Sequence, residues 1–160
     1  MSKKPWHGQT VVIVDDSSKV RDELTGLLTG CGMKVLGTAE NGVSGLDLVR
    51  KLQPNLVTLD IIMPEMDGVE CYRRLMREHP SLRCAMISWL ASDPAVAEKL
   101  TEVVPKHILQ AKPVSMTDLE ACLTRVYLPE QSQLSGRSEK KAPKDKDSDD
   151  DLLELGLALS

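Results

Sequence analysis

The chain has 160 residues with 20 Lys and Arg against 24 Asp and Glu, a net charge of −4, and 41% hydrophobic residues, enough for one globular core with chain to spare. The acidic balance excludes a broad basic face for nucleic acid, and with only Trp6, Trp89, Tyr72 and Tyr127 as aromatics there is little to stack on bases. No stretch approaches the roughly 18 apolar residues of a membrane span, and Met1 to His7 has no apolar core behind its lysines, so a cytoplasmic protein is expected.

Thr10 to Val14 is a continuous β-branched apolar run, the pattern of a strand buried on both faces, and it ends abruptly in Asp15-Asp16-Ser17-Ser18. A helix is predicted next. Val20, Leu24, Leu27, Leu28 and Cys31 recur at helical spacing, Ser17 or Ser18 can cap, and Gly30 and Gly32 stop it. Lys34 to Thr38 reads as a second strand and Val43 to Leu52 as a second helix. Leu56 to Leu59 is a third strand, again ending in an acid, Asp60. After the loop Met63 to Gly68 comes a helix from Val69 to Glu78, then a strand from Cys84 to Ser88. Asp93-Pro94 opens a fourth helix carrying Val96, Leu100, Val103 and Val104, His107 to Ala111 is a fifth strand, and Ser115 caps a last helix.

Strands alternating with helices in this way demand a parallel sheet, because right-handed crossovers put helices on both faces. The expected fold is α/β, a doubly wound five-stranded parallel sheet with five helices. In such sheets ligands sit beyond the carboxyl ends of the strands. The four cysteines (Cys31, Cys71, Cys84, Cys122) and three histidines (His7, His79, His107) are scattered without ligand spacing, so buried free thiols are expected rather than a Cys/His metal site.

The organisation read from the sequence is an N-terminal extension at 1–8, a domain at 9–127, a disordered polar linker at 128–148 and a tail at 149–160. Residues 128–160 hold 8 acids and 5 bases and so most of the excess negative charge. In the tail, Asp149-Asp150-Asp151 precede Leu152, Leu153, Leu155, Leu157 and Leu159, which points to a docking segment rather than a frayed end.

Asp15 and Asp16, Asp60, Ser88 and Lys112 each follow a different strand and should converge on one edge. Packed carboxylates repel one another unless a divalent cation neutralises them, and an all-oxygen set suits Mg²⁺. An ammonium and a hydroxyl beside them can hold the oxygens of a phosphoryl group on a carboxylate, so the inferred reaction is phosphoryl transfer to Asp60.

Through Asp15-Asp16, the stretch Asp60-Ile61-Ile62-Met63-Pro64-Glu65-Met66-Asp67-Gly68, Ser88 and Lys112-Pro113, the sequence resembles the receiver domain of two-component response regulators, which has the flavodoxin-like fold. The resemblance implies Asp60 as phospho-acceptor, Asp16, Asp60 and the Ile62 backbone carbonyl as Mg²⁺ ligands, Asp15 as a ligand through water, and Ser88 and Lys112 as sensors of the phosphoryl group. It also implies a cis bond before Pro113. The implied partners are a histidine kinase or phosphotransfer protein and a downstream protein target, in a single-domain regulator of chemotaxis type that is not an enzyme beyond its own phosphorylation and dephosphorylation.

Three positions depart from the family pattern. Leu109 stands where Phe or Tyr is usual, Trp89 stands where a small residue leaves the acceptor open, and Val103-Val104-Pro105-Lys106 replaces a Gly-containing turn. These leave a phosphorylation-independent scaffold as the alternative. A haloacid-dehalogenase-type phosphatase would need an acid where Ile62 stands, and a dinucleotide site would need Gly-x-Gly-x-x-Gly where Asp15 to Ser18 stand.

Overall fold

Val11 to Val14 and Leu56 to Leu59 are buried at every position, as strands covered by helices on both faces must be. The computed structural model describes residues 3–129. In chain order these form β1 (Thr10–Val14), α1 (Ser18–Gly30), β2 (Lys34–Ala39), α2 (Gly42–Leu52), β3 (Leu56–Leu59), α3 (Gly68–Glu78), β4 (Arg83–Ser88), α4 (Pro94–Leu100), β5 (Leu109–Ala111) and α5 (Met116–Tyr127). Single 3-10 turns at Trp89–Ser92 and Lys106–Ile108 flank α4 and its loop. All four ladders are parallel, in the order β2-β1-β3-β4-β5. The fold is therefore the expected flavodoxin-like α/β sheet. Chain order reverses between β1 and β3, and that crevice is where such sheets hold ligands.

Polar caps set the helix starts. Ser17, Asn41, Asp67, Asp93 and Ser115 each accept a hydrogen bond from a backbone N–H of the first turn. The first, fourth and fifth caps were legible in the sequence, whereas Asn41 and Asp67 start α2 and α3 one residue earlier than the apolar pattern predicts. At Ser115 the cap is reciprocal, since the Asp118 carboxylate accepts from the Ser115 N–H in return.

Two boundaries differ from expectation by two residues or more. α4 ends at Leu100, so Val103 and Val104 lie outside it although both are buried. Pro105 bars helical backbone at the residue before it, and irregular chain buries the two valines instead. β5 begins at Leu109 rather than His107, because Lys106 to Ile108 make a 3-10 turn behind Pro105.

The core is aliphatic, led by Ile13, Leu28, Leu56, Leu59, Leu75, Leu119 and Leu123. Cys71, Cys84 and Cys122 are buried free thiols as expected, and burial pushes the Cys71 thiol up to about 12. Cys31 is only half-buried, its Sγ 3.3 Å from Met116 Sδ. Trp6, which precedes β1, is only 2% exposed. Its ring lies 6.1 Å from Tyr127, the Arg83 guanidinium sits 4.5 Å from the other ring's centroid, and the Tyr127 hydroxyl donates to Gln9 Oε1 at 3.2 Å. Of the linker expected at 128–148, residues 130–148 lie outside the described residues, as does the tail at 149–160. Among the described residues no helix is long and apolar enough to cross a membrane.

Candidate functional site

The sheet's hydrogen bonding continues past the strand ends and sets the polar residues side by side. The Asp15 N–H donates to the Ala39 carbonyl at 3.0 Å, the Asp60 N–H to Val14 at 3.0 Å, and the Lys112 N–H to Ser88 at 3.2 Å. Carboxylate oxygens of Asp15, Asp16 and Asp60 consequently lie within 4.8 Å of one another. Asp15 and Asp60 are buried and Asp16 is exposed, so the cluster opens to solvent on one side.

Lys112 is buried among them, at 5% exposure. Its ammonium lies 2.7 Å from Asp15 Oδ2 and 3.4 Å from Asp60 Oδ2. The other oxygens are engaged by backbone: Ser17 N–H donates to Asp15 Oδ1 at 2.9 Å and Ile61 N–H to Asp60 Oδ1 at 2.8 Å. The Lys112-Pro113 peptide is cis, as the resemblance implied. Ser88 is also buried, and its Oγ accepts from the Leu90 N–H at 3.2 Å, capping the turn that carries Trp89. All five side chains singled out from the sequence thus meet at one edge.

Three carboxylates face one ammonium, so negative charge is left uncompensated. Burial raises the Asp60 carboxyl above the ordinary carboxylate range; the Lys112 charge works against this, Asp15 adds to it, and the Ile61 N–H and Ser88 hydroxyl oppose it. Oxygen donors with uncompensated charge fit a hard divalent cation such as Mg²⁺, which would be held by Asp15, Asp16 and Asp60. An open cavity of about 410 Å³ lies at the β2 edge, lined by Arg21, Thr38, Ala39, Ser44, Leu48 and Lys51, and none of the five residues lines it.

Two contributors were not read from the sequence. Arg21 donates to the Asp15 carbonyl at 2.7 Å, tying α1 to the first acid. Gly68 donates to the Ile61 carbonyl at 2.7 Å, and a Cβ there would overlap the Asp60 carbonyl oxygen and fall 2.8 Å from Ile61 Cα. The start of α3 is thereby pressed against the backbone of Asp60 and Ile61, a contact that only glycine admits. The sequence signal was the glycine itself, closing the Asp60 to Gly68 stretch, but its reason is a tertiary distance. Of the departures, Leu109 is half-buried, and Trp89 stands out to solvent at 59% exposure.

Residues 11–124 match the response regulator receiver domain family. A chemotaxis protein CheY of Thermotoga maritima is 33% identical over 93 residues, covering 58% of this chain and 78% of that protein. A protein-glutamate methylesterase/protein-glutamine glutaminase of Halobacterium salinarum is 43% identical over 86 residues, covering 54% of this chain and 24% of that protein. This chain therefore spans about a quarter of the length of such methylesterase relatives. Among solved structures, the CheX-CheY-BeF3-Mg complex from Borrelia burgdorferi superposes with a TM-score of 0.67 at 28% identity, covering 76% of this chain and 91% of that one. The matched residues contain the whole strand-end acid cluster together with Ser88 and Lys112, and the chain belongs to the response regulator receiver domain family of two-component signalling.

Proposed function

We propose that this receiver accepts a phosphoryl group on Asp60 from the phosphohistidine of a histidine kinase or phosphotransfer protein, in a Mg²⁺-dependent reaction, and signals by binding a protein target. The observation that carries this reading is the Lys112 ammonium, buried between Asp15 and Asp60 in a cluster of three carboxylates. An ammonium so placed can hold a phosphoryl oxygen once the carboxylate it faces becomes an acyl phosphate.

In the transfer an Asp60 carboxylate oxygen forms the new P–O bond while the P–N bond of the donor breaks, and the departing imidazole takes up a proton from solvent. Asp60 must be ionised to attack, and burial opposes ionisation. Bound Mg²⁺ would supply charge neutralisation for the carboxylates and the incoming phosphoryl oxygens, with Asp15, Asp16, Asp60 and the Ile62 carbonyl as its ligands. Lys112 and Ser88 orient the remaining phosphoryl oxygens, and Ser17 N–H and Arg21 keep Asp15 in place. The domain is an acceptor that promotes its own phosphorylation and hydrolysis.

A phosphorylation-independent scaffold draws on Leu109, which lacks the ring of the usual switch. Labelling with acetyl phosphate, read by intact mass, separates the two. The expected result is one phosphoryl adduct on the wild type with Mg²⁺, and none with EDTA or on Asp60→Asn. Equal labelling of Asp60→Asn, or no labelling of the wild type, overturns the proposed reading.

A further inference from the structure

Among the described residues the exposed large hydrophobics are Val43 and Trp89, and Trp89 is the more exposed at 59%. Beside it lie half-buried Leu90, Val96 and the edge strand β5, of which Leu109, Gln110 and Ala111 are all only half-buried. Among the described residues no strand pairs with the outer edge of β5. Instead Arg125 of α5 donates to the Leu109 carbonyl at 3.1 Å and to the His107 carbonyl at 3.4 Å. The carboxyl end of this face thus carries the exposed Trp89 indole, with partly buried Leu90, Val96 and Leu109 in the elements around it. Its opposite end is cationic: Lys99 and Lys106 are exposed with no carboxylate within ion-pair distance among the described residues, and with Arg125 they outnumber the neighbouring Glu98 and Glu102.

We propose that residues 149–160 of this same chain bind in cis along this face, with Asp149, Asp150 and Asp151 on the Lys99/Lys106 end and the leucines covering Trp89. The order of features matches. The described chain leaves α5 beside His107, at the cationic end, as the Arg125 bonds show. The segment presents its acids first and Leu152, Leu153, Leu155, Leu157 and Leu159 afterwards, so the acids meet the cations and the leucines run on toward the indole. Leu152, Leu155 and Leu159 fall on one side of a helix, the arrangement that lays into an apolar groove. Residues 130–148 have a contour of up to roughly 65 Å, against a domain diameter of about 35 Å, so the connection reaches.

Acrylamide quenching of tryptophan in the full-length chain tests this, because Trp6 is buried and Trp89 supplies the quenchable signal, an assignment checked with Trp89→Phe. The expected result is quenching of Trp89 several-fold stronger in the Leu152→Ser/Leu155→Ser/Leu159→Ser variant than in the wild type, at all protein concentrations. Lys99→Glu/Lys106→Glu should expose Trp89 likewise, and adding Asp149→Lys/Asp150→Lys/Asp151→Lys should restore its protection. Equal quenching of wild type and leucine variant overturns the proposal. So does protection that disappears on dilution, which would place the segment on a second copy.

Discussion

Asp60 stands in the folded domain at an electrostatic cost, since its carboxyl is raised chiefly by burial and further by Asp15. For an acid raised on folding, the penalty is present above its folded pKa and is relieved as pH falls through that value toward the unfolded one. Without divalent cations, Asp60→Asn should therefore melt a few degrees above wild type near neutral pH, the gap narrowing on acidification. Adding Mg²⁺ should raise the wild-type midpoint and leave the variant unmoved; a variant that responds equally would place the cation elsewhere. Lys112 carries the opposite sign. Lys112→Met leaves Asp15 and Asp60 facing each other uncompensated and should cost about 3–5 kcal/mol in denaturant unfolding. Mg²⁺ should return part of that loss, since it supplies the missing positive charge.

At the scale of elements, the loop that starts at Asp60 and α3 are joined by backbone contact at Gly68. Gly68→Ala should lower stability by roughly 2–4 kcal/mol, because the obstacle is backbone rather than a side chain that can turn away. It should also slow acetyl phosphate labelling of Asp60 several-fold, and a variant that is stable and labels normally would show that the loop yields. The reciprocal cap at Ser115 and Asp118 sets the start of α5. Ser115→Ala should cost about 1 kcal/mol by chemical denaturation, with labelling unchanged, since the cap faces solvent and not the acids. Among the described residues β5 is an edge strand, and Arg125 occupies its outward Leu109 carbonyl together with the His107 carbonyl just before it.

For the whole molecule, Trp6 fastens the residues before β1 to the end of α5 through Tyr127, where Arg83 covers the ring. Trp6→Ala should cost about 3–5 kcal/mol, measured by urea unfolding, with little effect on labelling because the cluster lies at the end of the sheet opposite the acids. The acid cluster is coupled to the Trp89 turn on the β4 side. Ser88 both faces Asp60 and caps the turn holding Trp89, so a phosphoryl group engaging its hydroxyl would reach the face proposed for residues 149–160 without a ring at position 109. Beryllofluoride with Mg²⁺ should accordingly raise acrylamide quenching of Trp89 toward the level of the leucine variant. A differential affinity of roughly 1–3 kcal/mol suffices, and unchanged quenching would show that docking is independent of the phosphoryl site.

The strand order of chemistry was legible in one dimension, because apolar runs that stop at Asp15, Asp60, Ser88 and Lys112 can only be buried strands with polar ends. Periodicity and caps located ten elements to within a residue or two, failing chiefly at Pro105, where apolar valines continued a helical pattern that the backbone could not follow. Composition likewise foresaw an aliphatic core with unpaired thiols. What depended on tertiary structure were distances and faces. That Lys112 sits closer to Asp15 than to Asp60, that Gly68 touches the Asp60 backbone, that Arg21 holds Asp15 and Arg125 closes β5 all follow from contacts between different elements. The two tryptophans show the same division. Nothing local distinguishes them, yet packing against Tyr127 buries one and the end of β4 leaves the other in water.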